Sequence, residues 1–175
     1  MINYRLFKLI SLVAFLVVLS CDDKNDASDN SPISDQVVYV TTTNVNIDNI
    51  YYSLASQSQV SGDDAWDISI IKDTDNYNMP SFVPGSIDIA VYEGLNFNSI
   101  ENLPITFEND LVSDHSLFSY ENTHEVLSYD MNVHKVSVTN PDYVYLIKSG
   151  DNAFKLQFDE YISGITIFKY GPIDH

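Results

Sequence analysis

Residues Tyr143–Tyr170 read YVYLIKSGDNAFKLQFDEYISGITIFKY, and their spelling decides the fold. Three runs rich in Val, Ile, Tyr and Phe are interrupted by Ser149-Gly150-Asp151-Asn152 and by Ser163-Gly164. β-Branched and aromatic side chains pack well on a pleated surface, while Gly beside Asn, Asp or Ser supplies the backbone angles of tight turns. The stretch therefore predicts a three-stranded antiparallel meander. In its second run Phe154, Leu156 and Phe158 alternate with Lys155, Gln157 and Asp159, so one face is expected in a core and the other in water. The third run is expected to repeat this, burying Ile165 and Ile167 together with its Phe168–Tyr170 end.

Working outward, the same spelling recurs at Val37–Thr43, Ile50–Ala55, Ala65–Ile71 and Ser86–Tyr92, each followed by a turn signal such as Gly62-Asp63-Asp64 or Glu93-Gly94. Leu117–Tyr120, Glu125–Tyr129 and Lys135–Val138 are shorter strand candidates. Asp73–Pro84 holds two prolines and no period, which predicts a long loop. Pro104 and scattered acids predict short edge strands and loops over Leu95–Asp114. No window keeps a helical period with caps at both ends, and no fixed repeat is present. The expected fold class is all-β, a single antiparallel domain of roughly ten or more short strands ending in a β-meander.

The chain opens MINYRLFK, continues with an apolar run over Leu9–Leu19, and reaches Val18-Leu19-Ser20-Cys21. A basic start, an apolar stretch too short to span a bilayer and a small residue before cysteine together predict a lipoprotein signal peptide over 1–20, with lipidation at Cys21. Acyl chains there would tether the protein to a membrane without crossing it. Residues 21–35, polar and acidic, are expected to form a flexible tether, leaving 36–175 as one β-domain. Cys21 is the sole cysteine, so no disulfide can form within one chain.

The formal net charge is -17, from 25 acidic and 8 basic residues. Losing Arg5 and Lys8 with the signal would take -17 to -19. Such a surface repels nucleic acid and anionic headgroups, so no nucleic-acid partner is expected. No arginine follows Arg5, and anionic ligands would lack the guanidinium fork that usually grips them. No G-x-S-x-G elbow, no cysteine-based zinc set and no EF-hand spacing occurs. Four histidines, His115, His124, His134 and His175, are the remaining candidates for metal chemistry. An exported, acidic domain rich in aromatic residues suits a binding module rather than an enzyme.

Three stretches resemble the HmuY family of bacterial haem-binding lipoproteins. Tyr51-Tyr52-Ser53-Leu54, followed after a short turn by Trp66-Asp67-Ile68, looks like that family's aromatic-aromatic-Ser start and its W-D-[IM] strand. Val144-Tyr145-Leu146-Ile147-Lys148 with Gly150 and Asp151 is similar to its V-[YF]-x-[VI]-[RK]-x-x-[DG] strand and turn. Phe154-Lys155-Leu156-Gln157-Phe158 through Tyr161, then Gly164–Tyr170, resembles its K-[VL]-x-F-x-x-Y and G-x-[IT]-T-F-x-Y ending. In place of the family's T-N-[SC]-G-x-[SG] loop stands Asn76-Tyr77-Asn78-Met79-Pro80-Ser81, without the glycine.

The resemblance implies haem as cofactor, pinched between loops and strands with two axial His or Met ligands, and no catalysis. It also implies outer-membrane, outward-facing display through lipid such as palmitate on Cys21, and transfer of captured haem to an outer-membrane haem receptor in iron acquisition. Set against the family's strand and loop, Met131 falls at one axial position, with His124 or His115 as its partner and His134 as the competitor if the register slips. A surface adhesion or structural lipoprotein of the same fold with no haem site is the alternative.

Overall fold

A computed structural model describes residues 36–74, 78–104, 107 and 124–173, which fall within the unit Ile33–His175. The leader, Cys21, His115, His175 and the expected strand Leu117–Tyr120 lie outside the described residues. The fold is all-β: β1 (Val38–Thr41), β2 (Ile50–Ser53), β3 (Ser58–Val60), β4 (Ile68–Asp73), β5 (Met79–Pro84), β6 (Asp88–Tyr92), β7 (Leu127–Asp130), β8 (Lys135–Val138), β9 (Val144–Ser149), β10 (Asn152–Ile162) and β11 (Ile165–Pro172), with one 3-10 turn at Phe97–Ser99.

β9, β10 and β11 form the expected meander at the heart of a five-stranded antiparallel sheet ordered β1-β11-β10-β9-β6. A four-stranded antiparallel sheet, β3-β2-β4-β5, packs its apolar face onto this first sheet, and β7-β8 form a separate hairpin. The shared core is aromatic. Tyr52 meets Phe168 edge-on at 5.4 Å, and Phe82 meets Phe158 at 5.5 Å. Burying one such ring stabilises by about 2–3 kcal/mol before chain entropy is counted.

Phe154, Leu156 and Phe158 are buried, as their alternation requires. The pairing of β10 with β11 then shifts between Phe158 and Glu160. Without this bulge at Asp159 the period of two would turn Glu160 inward; with it, Tyr161 is buried and Glu160 stays in water. On β11 the reading of the third run is corrected. Phe158 pairs with Phe168 and Leu156 with Tyr170, so Thr166, Phe168 and Tyr170 face the core, while Ile165 and Ile167 are half-buried on the opposite face.

The loop expected over Asp73–Pro84 is a second correction, because Met79–Pro84 is the edge strand β5. Lys72, the partner of Pro80, donates its N–H to Asn49 Oδ1 at 3.0 Å on the side away from β5. Pro80 and Pro84 share this phase, in which an edge strand needs no donor, so neither proline removes a ladder bond. Among the described residues of Leu95–Asp114 the 3-10 turn replaces the expected short edge strands. Asn96 caps it, Oδ1 accepting from Asn98 N–H at 2.9 Å. Phe97, Ile100, Leu103 and Phe107 cover the outer face of the first sheet over Val144, Leu146 and Ala153.

Asp67 ties the two sheets together. Its buried carboxylate accepts from Leu54 N–H at 2.7 Å and from the Ser149 hydroxyl at 2.6 Å. Both donors belong to partly or fully buried groups, so the charge-assisted bonds replace water that the packing removes.

Candidate functional site

The β7–β8 hairpin carries two of the residues singled out in the sequence. Its register pairs Leu127 with Val138 and Tyr129 with Val136; Leu127, Val136 and Val138 pack in the core, Tyr129 is half-buried, and Asp130 pairs with Lys135 and is exposed. The four-residue connection Met131-Asn132-Val133-His134 starts on an Asx turn, Asn132 N–H donating to Asp130 Oδ1 at 2.8 Å. It closes with His134 at φ 52°, a conformation in which histidine is among the more tolerated side chains.

Met131 and Val133 are each 65% exposed at this tip. The thioether is a soft, uncharged donor held away from the protein body. His134 is exposed as well, but its ring is held, with Nδ1 2.6 Å from the Tyr129 hydroxyl. The hydroxyl can donate to Nδ1 or accept from it. For Nε2 to bind a metal, Nδ1 must carry the proton and Tyr129 oxygen must accept it, an arrangement that fixes both tautomer and ring direction.

Beside His134 lies a cleft of about 350 Å³ between this hairpin and the β10–β11 turn, with Val136, Tyr161, exposed Ile162 and Asn46 in its walls. Ser163 and Gly164 both have positive φ, 50° and 100°. Asn44 and Asn46 side chains each donate to Ser163 carbonyl at 3.1 Å, and Val45 N–H donates to Gly164 carbonyl at 2.8 Å. The far wall of the cleft is therefore braced by the β1–β2 loop.

His124 stands at the other end of β7. Its Nε2 is 2.7 Å from Glu93 Oε1, its ring packs on Tyr143 at 5.3 Å, and its carbonyl accepts from the Tyr145 hydroxyl at 3.3 Å. β7 alone advances about 10 Å between these ends at ~3.3 Å per residue. The structure brings Met131 and His134 into one turn and does not bring Met131 and His124 together.

The hairpin tip presents one thioether and one imidazole whose other nitrogen is held, beside exposed Val133, and either donor is of a type that can ligate iron. Among the described residues no group of three or more His, Cys, Asp and Glu side chains gathers as a conventional metal site. Haem needs only two axial donors, so that observation concerns other metals.

Ser163-Gly164 is legible in the sequence as a turn but not as a wall of this cleft, and Tyr129 is legible as a strand residue but not as the partner of His134. The Tyr129–His134 contact follows only once the four-residue turn at Asp130 fixes the hairpin register. No protein-family model, curated protein or solved structure matches the chain.

Proposed function

We propose that the chain is an exported haem-binding protein, tethered to the outer membrane by lipid on Cys21, which captures haem and passes it to an outer-membrane haem receptor. The observation that carries this reading is the β7–β8 tip, where exposed Met131 and Val133 adjoin a histidine oriented by Tyr129. Met131 would supply one sulfur ligand. Its imidazole partner would come from His115, with His134 the competitor of Met131 at the tip, whereas recruiting His124 requires release of Glu93.

Bound haem would bring the redox-active iron; the residues of the chain bind and orient it, and no reaction is assigned to them. Exposure of the tip suits a protein that must hand its ligand on rather than bury it. The test is an absorption titration of the protein with haem. A sharpened, shifted Soret band saturating at one equivalent is expected, with loss of the wild-type low-spin spectrum in Met131→Ala. Only the broad signature of free haem at every ratio would overturn the proposal and leave the adhesion or structural reading. Retention of the wild-type spectrum by Met131→Ala, His134→Ala and the His115/His124 double alanine variant would instead remove the ligand assignment.

A further inference from the structure

On the outer face of the first sheet a cross-strand row runs from Tyr39 through Lys169 to Gln157, the three residues standing opposite one another on β1, β11 and β10. This row lines a cleft of about 490 Å³ together with Asn96 and Asn98 of the 3-10 turn and with Asp142. That volume lies within the usual range of small-molecule sites, about 300–1,000 Å³. Tyr39 is 76% exposed although it lies within a strand.

The walls are held in place. Asn96 Oδ1 caps the 3-10 turn, and Gln157 Nε2 donates to Pro141 carbonyl at 2.7 Å, fixing the loop that carries Asp142. In contrast the Tyr39 hydroxyl, the Asn98 carboxamide and the Asp142 carboxylate make no side-chain hydrogen bond among the described residues. An exposed aromatic ring and three exposed polar groups not engaged by other side chains thus line one braced cleft.

We propose that this cleft binds a neutral oligosaccharide, at a site separate from the β7–β8 tip. A sugar ring offers one face of C–H groups for an aromatic ring and a rim of hydroxyls, each able to donate and accept. The Asp142 carboxylate accepts from such hydroxyls, and the Asn98 carboxamide both donates and accepts. An apolar ligand would leave those groups desolvated and unpaired, which opposes binding. Among the described residues lining the cleft the cation is Lys169, already 3.2 Å from Asp159, and an anionic ligand also meets a chain of net charge -17.

Calorimetric titration of the full chain with maltotriose, mannotriose and chitotriose, and with a sulfated heparin-type trisaccharide, tests this. At least one neutral probe should bind with a Kd of about 1 mM or tighter, and the sulfated probe more weakly. Tyr39→Ala and Asp142→Ala should each weaken that binding by about tenfold, with melting temperature unchanged because both side chains are exposed. Ile162→Ser, beside the other cleft, should leave it unchanged. No heat with any neutral probe, preference for the sulfated probe, or wild-type affinity in both Tyr39→Ala and Asp142→Ala would overturn the inference. None of these outcomes depends on whether haem binds.

Discussion

Glu125 is 3% exposed, and its Oε1 has no hydrogen-bond partner among the described residues. Burial penalises the charged form and pushes the carboxyl pKa from 4.5 up to about 7. Between those values the folded protein holds a proton that the unfolded chain has released. Stability from this group is therefore complete below the unfolded value and is lost as pH rises through about 7. Glu125→Gln keeps the shape without the charge. It should be more stable than wild type at pH 8 by about 1–3 kcal/mol, with the difference shrinking towards pH 4.5. Urea unfolding of both proteins across this range isolates the one carboxyl from all others; a difference that is constant with pH, or that grows on acidification, would contradict the assignment. Nothing in the sequence marks Glu125 as buried. It opens the strand candidate Glu125–Tyr129 as an ordinary acid, and its fold contact, the Tyr145 hydroxyl donating to its carbonyl at 3.5 Å, comes from 20 residues away.

The β10–β11 turn shows the same division between what is legible and what is not at the scale of an element. Ser163-Gly164 announces a two-residue turn, and positive φ at both positions is what the mirror-image turn of a twisted hairpin requires. What the sequence does not announce is that Asn44 and Asn46 close over it. A Cβ at Gly164 would overlap both of those side chains. Gly164→Ala is thus expected to destabilise by about 2–4 kcal/mol, through left-handed backbone strain and loss of the bonds to Ser163. Gly94→Ala, also at positive φ but with open space around it, should cost only about 1 kcal/mol. Equal losses in thermal unfolding would show that the asparagine clasp contributes nothing. The meander is readable because its strands are β-branched and aromatic, its turns carry glycine, and β10 alternates strongly; β5 is not, because two prolines mask a strand whose phase makes them harmless. β3, with Ser58 and Gln59 exposed, has too little apolar pattern to announce itself. At the β7–β8 tip, Met131 and His134 could be named from the sequence, but their sharing of one turn depends on the Asp130–Lys135 pairing, and the contact of His124 with Glu93 spans 31 residues that no local pattern predicts.

For the molecule as a whole, the two-sheet core supplies the cohesion and the surface charge opposes it. Apolar burial between the sheets is insensitive to salt at moderate concentration, whereas 25 acidic groups against 8 basic ones repel one another once folding confines them. The unfolded chain spreads the same charges over a larger volume, so repulsion is the greater burden on the folded state. Screening must then favour folding. Raising sodium chloride from about 10 mM, where the Debye length is about 30 Å, to about 1 M, where it is about 3 Å, removes nearly all of the long-range repulsion. The expected gain is on the order of 1 kcal/mol, or about 2–4 °C in melting temperature for a domain of this size. Tetramethylammonium chloride at matched ionic strength should give the same rise, since screening depends on charge and not on a sodium site. A melting temperature that is flat or falls with both salts would mean that the acidic surface is already balanced by local pairs such as Lys169–Asp159; a rise with sodium alone would point to specific cation binding instead.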